Sequence, residues 1–392
     1  MLDLLVIVIL LSLVVMTNRR LAYANETIHA KWLEQNLNRL LAYHTAFSFL
    51  FPLLPGDASG YWGFTLQQVT VHSNNMFDYF GLGTPFLLFL DFIPVKVMGL
   101  SFLTGNIMYG LLGFCGLRYL FLLYYKSLNL DILVFGVRTV PFLFYLPNLN
   151  FWTAGVGKDT LCFFGIACFV YGIQFYRRRI ISMALAAALV YFIRPHVAFM
   201  MGASLAICVV FSGRMKAIYK ILFLALVAAG AAVVYKQVLG YLRIEDLSTK
   251  SLSGVASDTA GLLEQGLTGS AVDIQSYPLP LKFFTYLFRP LFFDVHNVLT
   301  LVSSFENLAY LVILIKALPN LRRRDIGAMP MWMRTGLLIF LFAMVVFSSS
   351  LGNLGIIMRM KNMTMIYLLM YCTWSISRRK AELAARATLT HN

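Results

Sequence analysis

Asp57 stands in the stretch Pro55-Gly56-Asp57-Ala58-Ser59-Gly60-Tyr61-Trp62, which has no Lys or Arg and follows an apolar run containing His44. A carboxylate in that setting suits a general base, a metal ligand or a helix cap, and Pro-Gly-Asp alone reads as a turn. Tyr61-Trp62 suits an interfacial aromatic belt or a sugar-stacking platform. A second group is cationic. Residues 147–159 read PNLNFWTAGVGKD; two glycines before Lys158, at the start of a helical run, allow close backbone approach to an anion, with Asp159 as cap or partner. The Gly-x4-Gly-Lys-Ser/Thr spacing of an ATP-binding loop is absent. Arg194-Pro195-His196 and Arg289-Pro290-Leu-Phe-Phe-Asp294-Val-His296-Asn297 each set Arg before Pro, which ends a helix there and leaves His196 or His296 nearby as a donor or proton shuttle. Arg359 and Lys361 form a further pair. Glu306 falls inside an apolar run, where an ionisable side chain is by default a functional-site candidate; its plainer reading is a hydrogen bond to Asn307 or a neighbouring helix. Any one of these cations alone also reads as a snorkelling or locally paired side chain. Taken together they are expected to converge on an anionic ligand, for which Arg supplies bidentate phosphate contacts.

The elements that position these residues follow from composition. The chain has 392 residues, of which 59% are hydrophobic and 12% charged, with a mean hydropathy of +0.75. Soluble globular proteins carry roughly twice that charged fraction, so lipid is the expected solvent. The net charge of +15 is gathered in short clusters at the ends of apolar runs, as membrane-flanking positions require, and gives no nucleic-acid surface. Cys115, Cys162, Cys168, Cys208 and Cys372 are scattered in apolar stretches without ligand spacing and read as small buried residues. Residues 1–16 lack a basic leading segment and precede Arg19-Arg20, so an uncleaved first helix is expected.

The predicted fold is an all-α, polytopic transmembrane helix bundle, a single integral membrane domain over 1–392. With roughly 20 apolar residues needed per crossing, about eleven spans are expected, near 2–16, 40–55, 103–125, 132–151, 160–176, 180–193, 197–212, 219–239, 297–318, 333–350 and 363–376. Residues 17–39, with Trp32 and Leu33 among charges, are expected as an interfacial amphipathic helix. Within a first outer loop at 56–100, the segment 85–100 is apolar but interrupted by Asp91, Pro94 and Lys96, and is expected to re-enter the membrane. Residues 240–296 form a long outer loop of a length usually tied to function. Counting Lys and Arg in short loops puts the N-terminus outside and the C-terminus in the cytoplasm. Lys158, Arg194, Arg289 and Arg359 then lie on the outer face, where that rule expects few cations.

The Gly-Asp-x-x-x-Tyr after His44, the Phe-Trp-x-x-Gly-x-x-Lys-Asp segment, the Arg-Pro-His helix end and the Arg-Pro-x-x-x-Asp-x-His-Asn segment together resemble bacterial surface-polysaccharide proteins. These are the Wzy-like repeat-unit polymerases and the GT-C-type polytopic glycosyltransferases. The resemblance runs in motif order over about residues 40–310. It implies a multi-pass enzyme of the bacterial cytoplasmic membrane that transfers glycan on the outer face from a polyprenyl-(di)phosphate-linked sugar. On this chain it implies Asp57 as catalytic base and Lys158, Arg194, Arg289 and Arg359 as phosphate contacts; His44, Tyr61, Asp159, His196, His296, Asn297 and Glu306 complete the expected substrate-binding set. No residue is assigned to a metal, no organic cofactor is implied, and dependence on a divalent metal stays open. Implied partners are the polyprenyl-linked glycan, membrane lipid and other polysaccharide-assembly proteins. A lipid-linked glycan flippase or another membrane transporter is the alternative, and a non-catalytic assembly scaffold a third reading.

Overall fold

The computed structural model describes residues 1–26, 28–53, 57–65, 73–128, 136, 139–212, 216–218, 220–222, 224–225, 227–229, 272–274 and 276–390. Among these residues the structure is helical, without strands. Contacts divide the chain into two units, the first holding 1–126 and 138–194 and the second 127–137 and 195–392.

The first unit comprises α1 (Leu2–Asn25), α2 (Ala30–Leu50), α3 (Ala58–Trp62), α4 (Thr84–Phe92), most of α5 (Phe102–Ser127), α6 (Thr139–Phe142), α7 (Pro147–Trp152), α8 (Lys158–Gln174) and α9 (Tyr176–Ile193). Its centre is α5, whose most apolar stretch is 78% buried, whereas that of α1 is 11% buried and presents Leu4, Leu5, Val8, Ile9 and Leu13 outward. Lipid gives two apolar helices little reason to leave it for each other, so close packing has to hold them together. Glycines on α5 supply it. A Cβ at Gly105 would meet the Trp62 ring at 2.7 Å, one at Gly113 would overlap the Thr153 carbonyl oxygen, and one at Gly116 would meet Phe163 at 3.0 Å. Polar ties add to this, since Asp3 Oδ1 accepts from the Ser101 N–H at 2.8 Å and Asn18 Nδ2 donates to Asn38 Oδ1 at 2.9 Å.

The second unit holds α10 (Pro195–Val210), α11 (Leu279–Phe288), α12 (Val298–Ala317), α13 (Arg323–Ala328), α14 (Met331–Ser350), α15 (Leu354–Asn362) and α16 (Met365–Thr390). Helix α14 packs on α10, α11 and α16, with Trp332, Tyr286, Tyr310 and Tyr367 fully buried.

Among the described residues four helices are long and apolar enough to cross a membrane: Leu2–Asn25, Phe102–Ser127, Val298–Asn320 and Met331–Ser350. They indicate a membrane protein, but the expected count of about eleven is not supported. The reasons lie in the lengths. Helix α8 has 17 residues, or about 26 Å at the helical rise, short of the roughly 30 Å hydrocarbon layer. Helix α10 has 16. The run predicted at 132–151 is outside the described residues in its first part, and from 139 it breaks into short turns at Pro141 and Pro147, residues that cannot donate to a helical ladder. The run at 363–376 continues to Thr390 through Arg378, Arg379 and Lys380, which dilutes its hydropathy. Most of 219–239 is outside the described residues.

No separate helix occupies 17–39, because 17–25 continue α1 and 30–39 begin α2. Segment 85–100 folds as α4 and a π-helical turn at Ile93–Val97, about 21 Å in all. Asp91 is buried there and accepts a 2.6 Å hydrogen bond from the Tyr109 hydroxyl. The long loop predicted at 240–296 is outside the described residues up to 271; its remainder contains α11 and the turn Phe292–Asp294.

Gly113→Ala forces a methyl group into the Thr153 carbonyl and is expected to destabilise the protein by about 1–3 kcal/mol. Gly202→Ala in α10, where a Cβ meets nothing within 4 Å, should leave stability unchanged or raise it by up to about 1 kcal/mol. Thermal melting of the detergent-solubilised protein compares the two.

Candidate functional site

In the first unit, the glycines of α5 let the 153–157 loop lie against the helix, where one hydrogen bond ties it to α5 and two more shape it locally. Asn106 Oδ1 accepts from the Val156 N–H at 2.9 Å, Thr153 Oγ1 donates to the Leu149 carbonyl at 2.6 Å, and Thr160 Oγ1 to the Gly155 carbonyl at 2.6 Å. Gly157 then precedes the first turn of α8, which begins with Lys158 and Asp159.

Helices α8 and α9 form an antiparallel hairpin whose register is set by small residues. A Cβ at Gly165 would overlap Val190, and one at Gly172 would meet Met183 at 2.9 Å. The same register brings the end of α9 beside the start of α8, where Arg194 Nη2 donates to Asp159 Oδ1 at 2.6 Å. Both side chains are buried, at 11% and 6% exposure. Such a pair holds only with both members present, because either charge left alone in a low-dielectric interior is costly.

Lys158 is half-buried beside this pair, with Nζ 5.9 Å from the centre of the Tyr61 ring. Burial pushes its ammonium down to about 8, and the neighbouring Arg194 cation adds to the shift, while Asp159, Cys162 and Asp57 act against it. Asp57 stands immediately before α3, where its carbonyl accepts the Tyr61 N–H at 2.9 Å. Its side chain makes no capping hydrogen bond and is exposed, so the helix-cap role open in the sequence is not the one adopted. Tyr61, Asp57, Lys158, Asp159 and Arg194 thus belong to one neighbourhood. The Lys158 ammonium can hold an anion, and the Asp57 carboxylate near it can accept a proton from a hydroxyl.

His44 belongs to the same unit but contacts none of these residues. It is fully buried and its Nδ1 lies 2.9 Å from Asn150 Oδ1. Asn150 spends its amide on the Phe144 and Leu146 carbonyls, at 2.8 and 2.9 Å, so its oxygen must accept and His44 Nδ1 must carry the proton.

The remaining expected residues lie in the second unit. Arg289 is held by Asp294 in a two-pronged pair, Nη2 to Oδ1 at 2.5 Å and Nε to Oδ2 at 3.0 Å. Its Nη1 donates to the Tyr277 hydroxyl at 3.3 Å, so this guanidinium is already engaged. His296 is exposed, with Nδ1 3.0 Å from the Asp294 carbonyl. Asn297 caps α12 by accepting from the Thr300 N–H at 2.8 Å. Glu306 is buried and accepts a hydrogen bond from the Tyr310 hydroxyl, not from Asn307. Asn307 instead donates to the Pro290 carbonyl at 2.8 Å and accepts from Lys361 Nζ at 2.6 Å. Lys361 completes its shell on the Arg289 and Leu287 carbonyls, at 3.1 and 3.3 Å. Arg359 is half-buried on α15. His196 is half-buried and stands edge-on to Phe347 at 5.9 Å.

Sequence reasoning did not find Asn106, the glycine face of α5, Tyr310 or the three-acceptor seat of Lys361. The glycine spacing within an apolar helix was the visible signal for the second of these. Among the described residues no three His, Cys, Asp or Glu side chains gather as a metal site. Comparison with family models, curated proteins and solved structures finds no match to this chain.

Arg194→Met leaves Asp159 buried without its guanidinium and is expected to cost about 3–5 kcal/mol. Adding Asp159→Leu removes the stranded charge and should recover much of that loss. Melting temperatures of the single and double variants check both.

Proposed function

We propose that the chain is a membrane-embedded glycosyltransferase or polysaccharide repeat-unit polymerase acting on a polyprenyl-(di)phosphate-linked sugar. Asp57 serves as its base and Lys158 as its phosphate-facing cation. The observation that carries this reading is the grouping of Asp57 and Tyr61 around the Lys158 ammonium, beside the Arg194–Asp159 pair. In the proposed topology this group faces outward across the cytoplasmic membrane, and the clusters around Arg19-Arg20, Arg177–Arg179 and Arg378–Lys380 mark the cytoplasmic side.

Each residue then has a chemical task. An acceptor hydroxyl attacks the anomeric carbon, its proton passes to the Asp57 carboxylate, and the glycosidic C–O bond breaks with its electron pair leaving on the lipid diphosphate. Lys158 stabilises the charge gathering on the departing phosphate. Tyr61, itself buried, sets its ring against the Lys158 ammonium and helps hold it in place. Arg194 acts through Lys158 and Asp159: its charge raises the local positive potential while its hydrogen bond fixes Asp159. Arg289 reads in this scheme as a structural arginine, because Asp294 occupies its fork.

A second reading, a flippase for the same lipid-linked glycan, draws on Glu306, which is buried about two turns inside α12, the depth at which carriers keep ionisable groups.

In a strain whose own copy is deleted, Asp57→Asn is expected to lower polymer at least about 100-fold, as loss of a general base does, with the protein still in the membrane. Near-normal polymer would remove Asp57 from the mechanism. In the deletion strain itself, outward-facing repeat units should accumulate. Precursor held on the cytoplasmic side would favour the flippase instead.

A further inference from the structure

Arg118 lies in the interior of α5, the most buried of the membrane-length helices, and is itself 5% exposed. A cation at such a position ordinarily faces a carboxylate or lines a path. Among the described residues every hydrogen-bond partner is neutral: Nη1 donates to Thr17 Oγ1 at 2.7 Å and Asn18 Oδ1 at 3.0 Å, and Nη2 reaches Cys115 Sγ at 3.4 Å. Its Nε is buried with no hydrogen-bond partner. The contacts to Thr17 and Asn18 fasten α1 to α5, yet that task needs only a neutral donor and leaves a full positive charge uncompensated.

A second guanidinium makes the imbalance larger. Arg118 lies 5.7 Å from the Tyr119 ring centre, and Arg179 lies 6.0 Å from the same ring and 5.3 Å from that of Tyr171. The two tyrosines stack at 4.6 Å. Arg179 also falls in the first turn of α9, behind Arg177 and Arg178, where the helix dipole disfavours cations and favours an anion. Two arginines about one phenol, with no carboxylate on Arg118 and a helix N-terminus beneath Arg179, call for a bound negative charge.

Depth identifies its source. Arg118 is nine residues before the end of α5, about 13 Å along the axis, and α5 at about 39 Å exceeds the roughly 30 Å hydrocarbon layer. Arg179 spans that depth, running from the first turn of α9, at the end of the unit marked by Lys126, Arg177 and Arg178, to the Tyr119 ring next to Arg118. We propose that Arg118 and Arg179 form a binding site for the phosphodiester of an anionic phospholipid, which supplies the charge the protein lacks there. The site is separate from the Asp57–Lys158 group and does not depend on the function proposed for it.

The test uses the full-length protein in nanodiscs of mixed phosphatidylglycerol and phosphatidylcholine, with retained lipid read by native mass spectrometry. Wild type is expected to retain phosphatidylglycerol preferentially. Arg118→Gln and Arg179→Gln should each lower that retention about fivefold, the effect of one arginine near an anionic headgroup. Arg179 is half-exposed and its guanidinium meets α5 and α8 only through the Tyr119 and Tyr171 rings, so its variant remains informative if Arg118→Gln fails to fold. Equal retention of the two lipids by wild type, or unchanged retention in Arg179→Gln, would overturn the proposal. Displacement of the lipid by millimolar inorganic phosphate would reassign the site to a free anion; resistance to displacement supports the lipid.

Discussion

A charge inside a low-dielectric, lipid-surrounded helix assembly has to be met by an acceptor or it will not stay there, and this constraint organises both units. Arg194 is met by Asp159 across the α8–α9 hairpin. Arg289 is met by Asp294 within its own loop. Lys361 has no carboxylate in its hydrogen-bond shell and is met by Asn307 and two backbone carbonyls. Each of these fixes geometry: the first closes the hairpin at the start of α8, and the last ties α15 to the turn before α12. Lys158 differs because its neighbours only partly offset burial, which leaves an ammonium close enough to neutrality to respond to a ligand.

That sorting changes which cations can do chemistry. An arginine whose fork is filled by a carboxylate has little capacity left for a phosphate, so Arg289 belongs to the frame, while Arg194, bonded through Nη2 to the buried Asp159, closes the α8–α9 hairpin. Lys158, half-buried beside the Arg194–Asp159 pair with the exposed Asp57 near it, keeps capacity for a ligand. In the proposed transfer reaction the framing pair still matters electrostatically, since Arg194 contributes to the potential that Lys158 feels.

The 147–159 segment was legible in the sequence because its glycines, lysine and aspartate report backbone approach and local charge, and these are properties of neighbours in the chain. The link from Asp159 to Arg194 crosses 35 residues and was legible only as two cationic helix ends expected on the same face. The partner of His44, Asn150, is 106 residues away and nothing local announces it. The helix count went astray for a different reason. Apolar runs of 14–18 residues look alike whether they cross a bilayer or pack as short buried helices, and hydropathy does not register proline breaks such as those at Pro141 and Pro147. Arg118 stood inside an apolar run and carried no loop signature, so only its neutral partners, seen in three dimensions, mark it as unusual.

The most direct measurement of the central claim is the pH dependence of binding of a polyprenyl diphosphate sugar to the purified protein, whose diester phosphates hold their charge across the range used. If Lys158 faces the phosphate, affinity is full at pH 6.5, where its ammonium is protonated, and falls as pH rises through about 8. Lys158→Arg, which cannot deprotonate there, is expected to flatten the profile. A wild-type affinity that stays constant to pH 9.5, or a Lys158→Met variant that binds as tightly as wild type, would contradict the account.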